Sequence, residues 1–431
     1  MGLSLSKTPG GDTSPSSCWP DLPHEIAGLV LSHLASHEDR LSFAAVCPQW
    51  RLATEQHRTL LPPSIPCINI GEGLYLSIVD GKMRRFATPS GRLLDASFGS
   101  WLLDEHQGSI GCSLLDPLSP STQAIQVPCR YDYYDQRTMK RFATSRLPGD
   151  CGRCDVVYPI GRPFPLKKII VLSPHLVVGI FQGCPFKAAP VNFAIFRPGS
   201  TRWSHPAHNS RFRNHAILDS IYKDIEFHRG KIFAVDGAGH LFAHELVPGK
   251  EPCLGHCEDV IKEGPDATIG KNPCYRLVTS CDKQKLLMVR WSIPNVMDGV
   301  KIDRHLISLH VFEADLAKGR WSEVKDLGSQ VLFIGTTGSR ALAVTGSSDS
   351  NHHIFQGGNR VFILGNDFAR AWAWRYVKVP DCKCLECRKL VNGIPDYCVY
   401  DMTSEKTSLA SIAKGSSSMK YFRLEWFYPS V

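Results

Sequence analysis

Near the start of the chain the apolar positions recur with a helical period. Ile26, Leu29, Val30 and Leu34 fall three and four residues apart, which predicts an amphipathic helix opened by Asp21-Leu22-Pro23. Ser36-His37-Glu38-Asp39 offers a capping turn with acids for a following first turn. The nearly all-apolar run Leu41, Phe43, Ala44, Ala45, Val46 then predicts a second helix. Pro48 opens a third, carrying Trp50, Leu52 and Ala53, and Pro62-Pro63 ends it. From about Ile65 the period drops to two. Ile68-Asn69-Ile70, Leu74 to Val79, Ile169 to Leu172, Leu176 to Phe181, Phe193 to Phe196 and Lys231 to Val235 read as short strands. So do Leu286 to Val289, Leu306 to Phe312, Val331 to Ile334 and Arg360 to Leu364. Asp80-Gly81, Pro198-Gly199, Asp236-Gly237 and Lys318-Gly319 supply turns between them.

Three short helices cannot bury a sizeable core alone, so the stretch from Trp19 to Arg51 is expected to present an apolar docking face. Many short strands at even spacing favour a sandwich, barrel or propeller. Weak repetition favours the propeller: Gly99-Ser100-Trp101, Gly199 with Trp203-Ser204, and Gly319-Arg320-Trp321-Ser322 are Gly–Trp turns beside strands. At roughly 40–50 residues per blade the region holds about six or seven. The expected architecture is therefore mainly β: a disordered arm over 1–18, a helical module over 19–60, and a propeller over 65–431. Irregular loops are expected near 130–168 and 251–272, where the strand rhythm lapses.

Two resemblances sharpen this reading. Trp19, Asp21-Leu22-Pro23, Asp39-Arg40-Leu41 and Val46-Cys47 with Trp50-Arg51 resemble an F-box, with Pro48 where that family more often has a polar or basic residue. The resemblance implies binding to a Skp1-like adaptor, and through it to a cullin, with Leu22, Pro23, Ile26, Leu34, Val46 and Trp50 as contacts. The longer region is similar to a plant β-propeller domain that commonly follows an F-box and long carried only an unknown-function label. Gly99-Ser100-Trp101-Leu102, Leu115-Asp116-Pro117-Leu118, Asp224 to Asp236, Trp321-Ser322-Glu323-Val324 and the terminal Trp426-Phe427-Tyr428-Pro429 carry it, in the family's order. Together they imply a substrate-receptor subunit of an SCF (Skp1–cullin–F-box) ubiquitin ligase, with the propeller holding an unknown protein target. The alternatives are a non-degradative propeller scaffold with a vestigial F-box, or a propeller enzyme with a pocket at the central channel.

Composition changes the picture little. The 431 residues carry a net charge of +8. Between Arg130 and Lys168 nine basic residues face four acidic ones, and Arg130, Tyr133, Tyr134, Arg137, Lys140 and Arg141 form a candidate target-binding loop. The interleaved acids argue for a protein partner over nucleic acid. No apolar run is long enough to cross a bilayer, and the first residues lack a secretory pattern, so a cytoplasmic or nuclear protein with reduced thiols is expected and no membrane partner. Met1-Gly2 with Ser6 fits the N-myristoylation pattern, although one acyl chain anchors only weakly. Cys382, Cys384, Cys387 and Cys398 form a weak zinc candidate, with ordinary loop thiols the simpler reading. There is no G-x-S-x-G elbow, P-loop or H-E-x-x-H, so no catalytic constellation and no cofactor is expected.

Overall fold

The computed structural model describes residues 22–34, 36–57, 60–61, 63–71, 73–86, 96–105, 111–116, 124–128, 130–131, 164–173, 175–181, 193–200, 203, 222–247, 253–265, 273–292, 308–344, 358–364, 397–410 and 424–429. The chain divides into two compact units, residues 1–65 with 429–431, and residues 66–428.

The first unit holds three ten-residue helices: α1 (His24–His33), α2 (His37–Val46) and α3 (Pro48–His57). Ser36 caps α2, its hydroxyl accepting the Asp39 N–H at 3.0 Å. The Arg40 Nε donates to the Leu34 carbonyl at 2.7 Å, a cation placed on an unpaired acceptor where α1 ends. Ala27 and Leu31 of α1, Phe43 of α2 and Ala53 of α3 form the core, with Leu22, Leu34, Trp50 and Leu61 packed against it. Phe43 and Trp50 stack at 4.2 Å. Gly28 lets α1 and α3 approach closely: a Cβ there would sit 2.8 Å from the His57 ring, whose Nε2 lies 3.1 Å from the His24 carbonyl oxygen.

The second unit is six sheets in a ring, a six-blade β-propeller. Blade 1 joins β1 (Cys67–Gly71), β2 (Leu74–Ser77) and β3 (Met83–Arg85) to β25 (Glu425–Phe427), the last strand of the chain. Blade 2 is β4 (Ala96–Phe98), β5 (Trp101–Glu105), β6 (Gly111–Leu115) and β7 (Ile125–Pro128). Blade 3 is β8 (Arg130–Tyr131), β9 (Phe164–Ser173), β10 (Leu176–Phe181) and β11 (Phe193–Phe196). Blade 4 is β12 (Asp224–His228), β13 (Lys231–Val235), β14 (Leu241–Val247) and β15 (Cys253–Ile261). Blade 5 is β16 (Cys274–Thr279), β17 (Leu286–Ser292), β18 (Ser308–Asp315) and β19 (Arg320–Val324).

Blade 6 has five strands, β20 (Gln330–Ile334), β21 (Arg340–Ala343), β22 (Arg360–Leu364), β23 (Tyr397–Asp401) and β24 (Lys406–Ala410). Their order is β21-β20-β22-β23-β24, and β20 and β22 run parallel. The inner strands touch around the ring: β25 on β4, β4 on β9, β9 on β12, β12 on β16 and β16 on β21. Trp426 closes it. Its Nε1 donates to the Ile334 carbonyl at 2.9 Å and its ring meets Phe333 edge-on at 5.2 Å.

Strand alternation explains why several blades read as unbroken apolar runs. Successive side chains point to opposite faces, and each face packs on a different neighbour. Val177 lies in the core shared by blades 2 and 3, whereas Val178 lies in the core shared by blades 3 and 4. Leu287 faces blade 6 and Met288 faces blade 4 in the same way. Gly179 is small for a packing reason, since a Cβ there would meet the Trp203 ring at 3.0 Å. The turn between β12 and β13 uses Arg229 and Gly230 with φ of 46° and 79°, the left-handed pair that a two-residue hairpin of type I′ needs.

The stretch 251–272, expected to be irregular, contains β15, the outermost strand of blade 4. Within the stretch 130–168, also expected to be irregular, Arg130–Tyr131 and the start of β9 are paired strand.

Candidate functional site

Helix α1 turns its apolar stripe outward. Ile26, Leu29 and Val30, three and four residues apart, are 45%, 57% and 39% exposed, while Ala27, Gly28 and Leu31 fill the interior side. Leu41 and Val46 of α2 and Leu52 of α3 are exposed as well. A helix that is apolar nearly all round belongs at an interface. The six residues proposed from sequence therefore divide. Pro23, Ile26 and Val46 are exposed, whereas Leu22, Leu34 and Trp50 pack on the module's own core. Leu29, Val30, Leu41 and Leu52 were not singled out as contacts. The spacing of Leu29 and Val30 from Ile26 was the available signal, but periodicity alone does not say which face of an all-apolar helix is inside.

A second concentration of polar groups lies at the inner strands of the propeller. The buried Lys168 Nζ on β9 lies 3.1 Å from Asp224 and 3.2 Å from Glu226, both on β12. Asp224 also accepts the Leu277 N–H of β16 at 2.8 Å, so one carboxylate ties blades 3, 4 and 5. Burial pushes the Glu226 carboxyl up to about 7, against the opposing pull of Lys168. Arg340, on β21, also lowers the Glu226 carboxyl electrostatically. These two residues belong to blades 4 and 6. The Arg340 guanidinium lies over the Tyr428 ring at 4.7 Å, and the one proton of the Tyr428 hydroxyl is shared between the carbonyls of Phe333 at 3.2 Å and Gly338 at 3.1 Å. On the same ring Glu425 accepts the Ser97 N–H, joining β25 to β4. The Arg276 Nη2 donates to the Thr336 hydroxyl at 2.9 Å.

The remaining sequence candidates are placed as follows. Gly2, Tyr133, Tyr134, Arg137, Lys140, Arg141, Cys382, Cys384 and Cys387 lie outside the described residues, and of Arg130 only the backbone pairing in β8 is described. Cys398 is fully buried in the core between blades 5 and 6, where desolvation pushes its thiol well up. Among the described residues no group of three or more His, Cys, Asp or Glu is placed to hold a metal. Cys47, Cys67, Cys257, Cys274, Cys281 and Cys398 form no disulfide. Cys112, wholly buried, is disulfide-bonded, which departs from the expectation of reduced thiols throughout. No described helix is long and apolar enough to cross a membrane.

A helical module with an outward apolar face, followed by a six-blade propeller with a charged axis, is the construction of an F-box/propeller protein. Residues 19–60 match the F-box-like family model, and residues 75–401 match the model described as KIB1-4 beta-propeller. The chain belongs to the KIB1-4 beta-propeller family. A search of curated proteins returned no match. Both kinds of domain are typically non-catalytic adaptor or scaffold modules, and their combination fits an F-box substrate receptor.

Proposed function

We propose that this chain is the substrate-receptor subunit of an SCF ubiquitin ligase, its helical module binding a Skp1-like adaptor and its propeller a protein target. One observation carries the reading: on a segment that matches an F-box-like model, the apolar stripe Ile26, Leu29, Val30 is exposed instead of filling the module's own core. Exposed apolar area of this kind is stabilised by docking. The adaptor would connect to a cullin, and target and charged ubiquitin carrier would react because they are held together. The chain contributes proximity, a gain in effective concentration, instead of bond chemistry.

The test is co-purification of full-length protein with a Skp1-like adaptor. Leu29→Asp, on the exposed face, is expected to abolish capture while leaving the circular-dichroism spectrum unchanged. If the unaltered protein captures no adaptor, or Leu29→Asp captures it as well as the unaltered protein, the reading is wrong.

A further inference from the structure

One cation of the inner strands, Arg340, has no direct polar partner among the described residues. Lys168 is matched by Asp224 and Glu226. Arg340 is bonded to neither: among the described residues its guanidinium makes no hydrogen bond or ion pair, and it is half-buried. Two groups face it. One is the Tyr428 ring, 4.7 Å away and held through its hydroxyl, whose one proton lies between the Phe333 and Gly338 carbonyls. The other is Glu226 of β12, whose charge acts on it through space. A guanidinium resting on an aromatic face keeps its charge and its fork of N–H donors, and that fork fits carboxylate and phosphate oxygens two at a time. Its orientation is set by a ring that is itself held, so little freedom remains to be lost on binding.

We propose that Arg340, seated on Tyr428, anchors an anion-recognition site at the inner strands of the propeller that takes an acidic side chain, a carboxylate or a phosphate, of the target protein. This rests on the receptor reading above and adds the chemistry of the segment received. Glu226 gives the site a proton-linked signature. The charged groups facing it are Lys168 from β9, Asp224 on its own strand and Arg340 from β21. Its carboxyl titrates near neutral pH, and an incoming anion repels its charged form, so binding takes up a proton. Affinity is therefore higher at pH 6 than at pH 8.

Full-length protein is incubated with three immobilised pools of random twelve-residue peptides whose central position is fixed as phosphoserine, glutamate or lysine. At least one acidic pool is expected to retain about tenfold more protein than the lysine pool, the scale of one charge-assisted hydrogen bond. Phosphoserine alone or glutamate alone would support the site and name its anion. Arg340→Gln, shown folded by its melting curve, is expected to lose the preference, and Arg340→Lys to keep part of it.

Retention on the pool that binds is compared at pH 6 and pH 8 with unaltered protein, which needs no variant to fold. For phosphoserine the comparison is repeated with Glu226→Gln, because the phosphate itself titrates near pH 6. Equal retention on all pools, a preference that survives Arg340→Gln, or glutamate binding that is stronger at pH 8 would overturn the proposal. Adaptor capture is measured on the same preparations. If it persists while the acidic preference is absent, only the anion site falls; if it is lost, the receptor reading falls.

Discussion

Trp50 and Leu29 sit in the same helical module and face opposite ways. Trp50 stacks on Phe43 in the core, so Trp50→Ala is expected to destabilise the module by up to about 3 kcal/mol, below the cost of a fully buried aromatic. Loss of helical signal in a thermal melt would show this, and any loss of partner binding in that variant would be secondary to unfolding. Two buried titrating groups in the propeller pull its stability in opposite directions. Glu226 has a folded value near 7, above its ordinary value of 4.5, so the folded state holds the extra proton. Its contribution is full below about 4.5 and is lost as pH rises through 7. Glu226→Gln should thus flatten the fall in propeller melting temperature between pH 5 and pH 8, and a variant as pH-sensitive as the parent would refute this. His244, buried against Tyr222 and lowered to about 4 by desolvation, acts the other way: its contribution is present above about 6.5 and is lost as pH falls through 4. His244→Gln is expected to reduce the acid-induced drop in melting temperature between pH 6.5 and 4.

Among the elements, β25 matters out of proportion to its three residues. It is paired with β1 and joined to β4 and β20 by Glu425 and Trp426. Trp426→Ala removes a fully buried ring and its hydrogen bond, and should cost about 3–5 kcal/mol, read as a lower urea midpoint. How much of such structure is legible in sequence depends on which face an element shows. The runs at Val177, Leu287 and Val361 announce themselves because both faces of each strand are buried between blades. β15 does not. Its sequence, Cys253-Leu254-Gly255-His256-Cys257-Glu258-Asp259, mixes polar with apolar residues because it is the outer edge of blade 4 among the described strands, where charge guards an edge. The parallel pairing of β20 with β22 was equally hidden, since β21 intervenes in the chain and local patterning carries no information about non-sequential neighbours. The site divides the same way: residues 26, 29 and 30 lie on a visible stripe, whereas Lys168 meets Asp224 and Glu226 only through the stacking of blades 3 and 4, which are separated by more than fifty residues in sequence.

As a whole molecule the chain is two units with separate cores. Separate cores predict separate responses to a ligand that binds one of them. Saturation with a Skp1-like adaptor is expected to raise the melting of the helical module and leave the propeller transition in place, which calorimetry on full-length protein can resolve. A single transition that shifts as one would instead mean that the two units unfold together. The strand that completes blade 1 is encoded by residues 425–427, while its partners are encoded by residues 67–85. During synthesis the helices leave the ribosome before the propeller, and the ring remains an open arc with one blade short of a strand until residues 425–427 have been made. An F-box able to meet its adaptor at that stage would load an unfinished receptor, so chaperone protection of the arc, not speed of helix folding, is expected to set the yield of assembled complex.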